Sequence, residues 1–477
     1  MKDDAVREAA SLPIETEETG RGGIAALAAE AQLHWSLAQP DGDAGKRAYG
    51  LARELFPICR SITGPGIRET LAIIHREIPE MVIHEVPSGT RCLDWTVPPE
   101  WSIREAYIEG PDGERIVDFR DHNLHVVGYS MPIDTIMPLQ DLKRHLHSVP
   151  ELPDAIPYVT SYYAPRWGFC LPHNILSALP SGKYRVKIDS TLAPGHLVYG
   201  EALLPGETDR EIFLSTYVCH PSLANNELSG PAATVEVVRW LKALPRRRHT
   251  VRVIFIPETI GSIVYISRNL DALRSKVVAG FNVSCIGDDR AYSYLASRLG
   301  ETISDRAAIH ALTHHAGPDG FQRYSYLERG SDERQYCSPG VDLPIVSIMR
   351  TKYGVYPEYH TSLDDLSLIS AGGLAGGIAA LAKAILTVEG NGVYKTTVLG
   401  EPQLGRRGLY PTLGTRDGSR SVRNMMNVLA YADGKHDLLA IAEILGLPMW
   451  ELLPIVRQLL DLELLVDCAA EARNIKA

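Results

Sequence analysis

The spacing of apolar residues changes several times along this chain, and each change predicts a different kind of structure. Residues 1–25 are polar and acidic with no sustained period, so they are expected to be a loose N-terminus. Apolar residues then recur at helical spacing through GIAALAAEAQLHWSLAQ, KRAYGLARELFPICR and GIRETLAIIHREIP, with PDGDAG and SITGPG as turns between them. From Val82 onward short alternating runs take over: VIHEVPSGTRCLDWTVPPEW, EAYIEGPDGERIVDF, NLHVVGYS, KYRVKIDSTL and GHLVYGEALLPG. Pro, Gly and Asp turns separate them. This predicts a β-rich module ending near Pro205.

The next stretch alternates compact apolar strands with helices. EIFLSTYVC, VRVIFIPE, VVAGFNVSCIG and LPIVSIMR are nearly continuous hydrophobic runs, as in buried strands of a parallel or mixed sheet. GPAATVEVVRWLKAL, SIVYISRNLDAL and LAGGIAALAKAIL are the accompanying helices, which predicts an α/β sandwich. After Gly390 the Gly- and Pro-rich LGEPQLGRRGLYPTLGTRDGS reads as a linker. The helical patterns VRNMMNVLAYADG, HDLLAIAEILGLP and MWELLPIVRQLLDLELL follow, and tight turns between them suggest a winged-helix module.

Composition narrows the class. A chain of 477 residues exceeds one ordinary core, and 45% hydrophobic with 22% charged residues indicates a folded globular protein. The net charge of -10 argues against nucleic-acid partners, whose nonspecific binding depends on cations. The seven cysteines are scattered singles without a CxxC pair, as expected of reduced thiols. No apolar run stands out as a membrane span, and MKDDAVREAASLPIETEETGRGG lacks the order of a secretion signal. The expectation is a cytoplasmic protein without a membrane partner.

Candidate chemistry gathers at strand ends. His220 follows EIFLSTYVC, Glu258 ends VRVIFIP, Asp288 and Asp289 follow VVAGFNVSCIG, and His360 lies in EYHTSLDDL after LPIVSIMR. Ligands of α/β sheets collect at the carboxyl ends of strands, and imidazole and carboxylate both suit zinc. Each residue also has a plain structural reading: a hydrogen-bonded histidine, a glutamate cap, an Asx turn. Four coincident strand ends favour a site.

CHPSLANNELSGPAATVEVVRWL, PETIGSIVYI, GDDRAYSY and SDERQYCSPGVDLPIVSIM followed by YPEYHTSLDDL resemble, in order, the metal-binding segments of the co-catalytic zinc aminopeptidases. ELFPICRSITGPGIRETL, HEVPSGTRCLDWTVPPEW and IPYVTSYY are similar to a narrower, aminopeptidase-like group with an inserted β-rich domain and a C-terminal winged helix. The resemblance implies an aminopeptidase-like α/β/α sandwich with a mixed sheet. Its domains would be a catalytic domain over 26–85 and 206–395, an insert over 86–205 and a winged helix over 405–470. It further implies zinc held by His220, Asp288 and His360, with water activated beside Glu258. Asn226 stands where the family has a bridging aspartate. A neutral amide bridges two dications poorly, which implies one tightly bound zinc and a weaker second. Only Glu258 stands where the family has two glutamates in a row. It is assigned as general base, with a ligand role as the alternative.

Arg334 in SDERQY and Arg350, Lys352 and Tyr353 in MRTKYG are candidate substrate anchors or oxyanion donors, against a reading as solvated loop charge. Glu227, Asp289 and Glu333 are the acids available to receive a substrate ammonium. The expected substrate is a peptide or small amide. The alternatives are a non-catalytic scaffold that recruits a partner through the winged helix, and a ligand-sensing DNA regulator. MWELLPIVRQLLDLELL sets Arg457 and Gln458 against Glu451, Asp461 and Glu463, which favours a protein-interaction or dimerisation role for that module. Homo-oligomeric assembly is left open.

Overall fold

The structure is a computed structural model, and it describes residues 40–409 and 416–468. The polar N-terminus, the pattern GIAALAAEAQLHWSLAQ and part of the linker lie outside the described residues. The chain divides into one unit spanning Leu37–Asn391 and a second containing the described residues from Gly392 onward.

The first unit is built on an eight-stranded mixed sheet of β1 (Val82–Pro87), β2 (His196–Leu204), β3 (Thr208–Tyr217), β4 (His249–Ile256), β5 (Val277–Asn282), β6 (Ser293–Leu295), β7 (Gln322–Tyr324) and β8 (Ile345–Met349). Their spatial order is β1-β2-β4-β3-β5-β8-β6-β7. The central four, β4, β3, β5 and β8, run parallel.

Alternation along each strand feeds two cores. Ile212, Leu214, Val251, Val253 and Phe255 point to one face, while Phe213, Ile254 and Ile256 point to the other. With both faces buried, these strands read as continuous apolar runs. The first face is covered by α1 (Ala44–Leu55), α2 (Pro65–Glu77), α3 (Ser229–Ala243), α5 (Ile303–Ala316) and α6 (Ala371–Gly390). The second is covered by α4 (Ile260–Lys276), joined by Trp101 and Tyr129. The result is the expected α/β/α sandwich.

Between β1 and β2 lies an antiparallel four-stranded sheet in the order Arg115–Asp118, Glu100–Glu109, Lys183–Ala193, Ile133–Pro138. It has its own core of Ala106, Ile108, Val117, Tyr184, Val186 and Ile188. GHLVYGEALLPG, grouped with this module in the sequence, instead forms β2 and pairs with β1 and β4 in the main sheet. Its alternation is that of any two-faced strand, so pattern alone does not say which sheet it joins. α5 has no counterpart among the expected elements. Its buried positions are largely alanines (Ala307, Ala308, Ala311), too small to mark a strong period, and a Thr302–Asp305 capping box starts it.

α6 corrects another expectation: it is long and apolar enough to cross a membrane. Gly and Ala supply much of that apolarity, and most of the helix is packed in the core beside α1 and α5. The second unit has helices Arg416–Tyr431, Leu438–Leu445 and Met449–Asp461 with a three-stranded antiparallel sheet of Val393–Thr396, Asp433–Asp437 and Leu465–Asp467. On Met449–Asp461 the exposed charges are Glu451, Arg457 and Asp461, and Arg457 is paired with Asp461 at 3.3 Å.

The approach of α1 to α6 is testable. A Cβ on Gly45 of α1 would lie 2.0 Å from the Ala371 carbonyl oxygen of α6. Because backbone must move, Gly45→Ala is expected to cost about 1–3 kcal/mol, read as a lower denaturation midpoint.

Candidate active site

The loops leaving the carboxyl ends of the four parallel strands carry His220, Glu258, Asp288 and His360. After β3 the chain makes a single π-helical turn, Ala224–Leu228, before α3 begins. Such turns carry one extra residue and recur at functional sites. The Asp364 carboxylate holds this one, accepting from the backbone N–H of Asn225 at 2.6 Å and of Asn226 at 3.0 Å.

The same turn buries Glu227, which accepts a hydrogen bond from His220 Nδ1 at 2.6 Å. A carboxylate only accepts, so Nδ1 carries a proton and Nε2 is left to face away from Glu227. Nε2 faces Glu258, whose Oε2 is 3.5 Å away. Behind Glu227 stands Arg60, fully buried, its Nε donating to the His220 carbonyl at 3.0 Å and lying 3.9 Å from Glu227 Oε1. Arg60 Nη2 and Glu227 Oε1 have no hydrogen-bond partner. Burial lowers the Arg60 pKa against the pull of Glu227. Burial also opposes charge on His220, but the Cys219 sulfur and the Glu227 carboxylate carry its pKa well above the ordinary imidazole value.

His360 arrives in the left-handed region, with φ at 58°. The inserted module holds it: Tyr158 N–H donates to the His360 carbonyl at 2.8 Å, and Ile156 and Ser362 exchange two further bonds. The Tyr158 ring sits edge-on to both histidines, 5.1 Å from His220 and 5.2 Å from His360, while Tyr359 stacks on His360 at 3.9 Å. The imidazoles are 5.7 Å apart between centroids. Burial and the charge of His220 push His360 down to about 3, so it stays neutral, with lone-pair nitrogen to offer.

Glu258 is mostly buried, and burial raises its pKa against the pull of His220 and Arg334. Its N–H donates to Cys219 Sγ at 3.2 Å. Arg334, expected to anchor substrate, donates from Nη2 to Thr259 Oγ1 at 2.5 Å.

The other expected site residues are held by neighbouring groups. Both oxygens of Asp288 are committed: Oδ2 accepts from Asn225 Nδ2 and the Thr351 N–H, Oδ1 from the Arg290 N–H and Thr351 Oγ1. Asn226 donates from Nδ2 to the Tyr217 hydroxyl at 2.8 Å, and its amide oxygen is buried without a partner. Arg350 stacks over Tyr292, its guanidinium carbon 4.0 Å from the ring centroid. Lys352 lies over the Tyr324 and Tyr353 rings, and burial lowers its pKa. Tyr353 donates to Glu333 at 2.6 Å, and Glu333 also accepts from Asn282 and two backbone N–H groups. Sequence reasoning missed Arg60 and Tyr158, although both lie in the quoted segments ELFPICRSITGPGIRETL and IPYVTSYY. It named Glu227 only as a substrate anchor.

This architecture is the zinc-aminopeptidase fold. Over 72% of this chain and 94% of the other, it matches the structure of a zinc aminopeptidase from Bacillus subtilis with a TM-score of 0.52 at 13% identity. The chain belongs to the family described as a domain of unknown function, DUF4910, whose profile matches residues 49–391. A winged helix-turn-helix profile matches residues 392–467. A Clostridium acetobutylicum relative, named for an aminopeptidase-like domain and a proposed role in polysaccharide biosynthesis, is 43% identical over 406 residues, 85% of this chain and 92% of its own. A crystal structure of a proposed peptidase from that organism has a TM-score of 0.84 at 39% identity, covering 92% of this chain and all of the other.

The buried chain of Arg60, Glu227 and His220 yields a stability prediction. Arg60→Met removes the only cation that faces Glu227 on that side, among the described residues, and leaves a buried carboxylate undercompensated. The expected cost is about 3–5 kcal/mol in denaturant unfolding.

Proposed function

We propose that the first unit is a zinc-dependent hydrolase of amide bonds, acting on a peptide or a small amide. The observation that carries this reading is the orientation of His220: Glu227 takes Nδ1, and Nε2 turns to Glu258 with His360 across the Tyr158 ring. A carboxylate behind a ligating imidazole is the usual outer-shell arrangement of zinc sites.

The donor chemistry fits a divalent ion. His220 and His360 offer imidazole nitrogen, and Asn226 a buried amide oxygen that lacks any partner. Cys219, His220 and Glu227 also bring ligand-type atoms within 4.8 Å of one another. We favour the Nε2 side, because Nδ1 is already spent on Glu227. Asp288 is left as part of the wall, since its oxygens are committed. With Asn226 neutral, one ion is the expected stoichiometry.

Bound zinc would supply Lewis acidity for the attacking water and the amide carbonyl. Glu258 takes the proton of the attacking water and returns it to the leaving nitrogen, and burial raises its pKa in the sense that role needs. Tyr158 and Tyr359 hold the His360 ring between them and keep it from rotating away. A cytoplasmic setting belongs to the same proposal and is supported by seven free cysteines, five of them buried.

The relative's name favours a second substrate reading, in which the amide is the N-acyl group of an amino sugar. One preparation tests both. Elemental analysis is expected to find about one zinc per chain, lost in His220→Ala and kept in Glu258→Gln. Turnover of amino-acid 4-nitroanilides or of N-acetylglucosamine is expected to fall about 10²–10⁴-fold in Glu258→Gln. Full zinc content in His220→Ala together with no hydrolysis by the wild type would favour a scaffold instead.

A further inference from the structure

Thr259, the residue after Glu258, has φ at 65°, a conformation that β-branched residues adopt only when their surroundings impose it. Two side chains hold it. Its N–H donates to Asp332 Oδ1 at 2.7 Å, and its Oγ1 accepts from Arg334 Nη2. The same Asp332 oxygen accepts from Ser262 Oγ at 2.8 Å, which ties this corner to the first turn of α4. Asp332 is fully buried, and its other carboxylate oxygen has no partner at all. A buried carboxyl group with an unpartnered oxygen is costly, and a plain helix cap would not need it.

The other side of Glu258 is held softly. Its N–H meets the sulfur of Cys219, a weak acceptor, and Pro257 precedes it with no N–H to offer. The Glu258 carbonyl accepts from the Ile260 N–H at 2.8 Å and the Pro257 carbonyl from the Gly261 N–H at 2.9 Å, so Glu258 shares one turn with Thr259, and Thr259 is where side chains grip that turn.

We propose that Asp332 is a positioning residue for Glu258: by fixing strained Thr259 it sets the direction from which Glu258 exchanges protons with the substrate. Its catalytic meaning rests on the amide-hydrolase reading above, while its mechanical meaning does not. Asp332 touches no reacting atom. It acts through the Thr259 N–H and the Ser262 hydroxyl, so its loss should leave ground-state binding and metal content alone while slowing the proton-transfer step.

The test uses the full chain and pairs hydrogen–deuterium exchange of the peptide spanning 257–263 with zinc content and steady-state kinetics on whichever 4-nitroanilide the wild type hydrolyses. In Asp332→Ala the Thr259 amide is expected to exchange about tenfold faster or more. In the same variant kcat is expected to fall about 10–100-fold, with KM within about twofold and zinc unchanged. Asp332→Asn keeps an acceptor oxygen and is expected to recover most of both. Unchanged exchange at Thr259 in Asp332→Ala, or a kcat loss that merely tracks zinc loss, overturns the proposal. If Asp332→Ala does not fold, Thr259→Gly takes its place, because glycine no longer has to be held. There a lower kcat at constant KM supports the role of Thr259, and unchanged kinetics overturns it. If the wild type hydrolyses nothing in the panel, exchange alone decides. Faster exchange then sustains the positioning role and places the failure on the amide-hydrolase reading.

Discussion

Glu227 sits where water does not reach, wedged between the Nδ1 of His220 and the guanidinium of Arg60. A carboxylate in that position is tolerable only with cationic or donating partners on both sides, and each partner is fixed in turn by what it gives up. His220 gives up one nitrogen and thereby commits the other. Arg60 spends Nε and Nη1 on the carbonyls of His220 and Leu55, which locks the end of α1 to the end of β3. The site's polarity, the entry into α3 and the seating of the α1–α2 hairpin follow from this one buried contact.

The inserted module plays a comparable part from the opposite side. It does not merely decorate the sheet. Its segment around Tyr158 makes a short antiparallel contact, Pro157 to Thr361, with the loop that presents His360. That loop has an unfavourable backbone conformation at the histidine itself, so the insert supplies what the local sequence cannot. The two imidazoles then share one aromatic wall although they come from strands separated by β5 in the sheet.

Much of this was legible in the sequence, for definite physical reasons. Buried parallel strands leave unmistakable apolar runs, so the positions of His220, Glu258, Asp288 and His360 at strand ends could be read directly. What those residues do was less legible. Asp288 at a strand end reads equally as a ligand and as a wall residue, and the bonds it accepts from Asn225 and Thr351 leave no mark in the sequence. Among Asn225, Asn226 and Glu227, the acidic residue that orients His220 is decided by a π-helical turn, which has no sequence period of its own. Arg60 was invisible because its partner lies 160 residues further on. The helix Ile303–Ala316 escaped notice because alanine does not mark a face strongly. The strand His196–Leu204 was assigned to the wrong sheet because alternation gives a strand's faces and not its neighbours.

The distance between Arg60 and His220 along the chain bears on how the protein is made. Contacts so remote in sequence form late, because the intervening chain must first be closed into a loop. A ribosome adding about 5–20 residues per second has released Arg60, the whole insert and His220 well before His360 appears. Through that interval the nascent chain holds a lone imidazole and no partner across Tyr158. The metal site proposed above would therefore be assembled only once the chain is complete past Asp364, which closes the turn around Glu227.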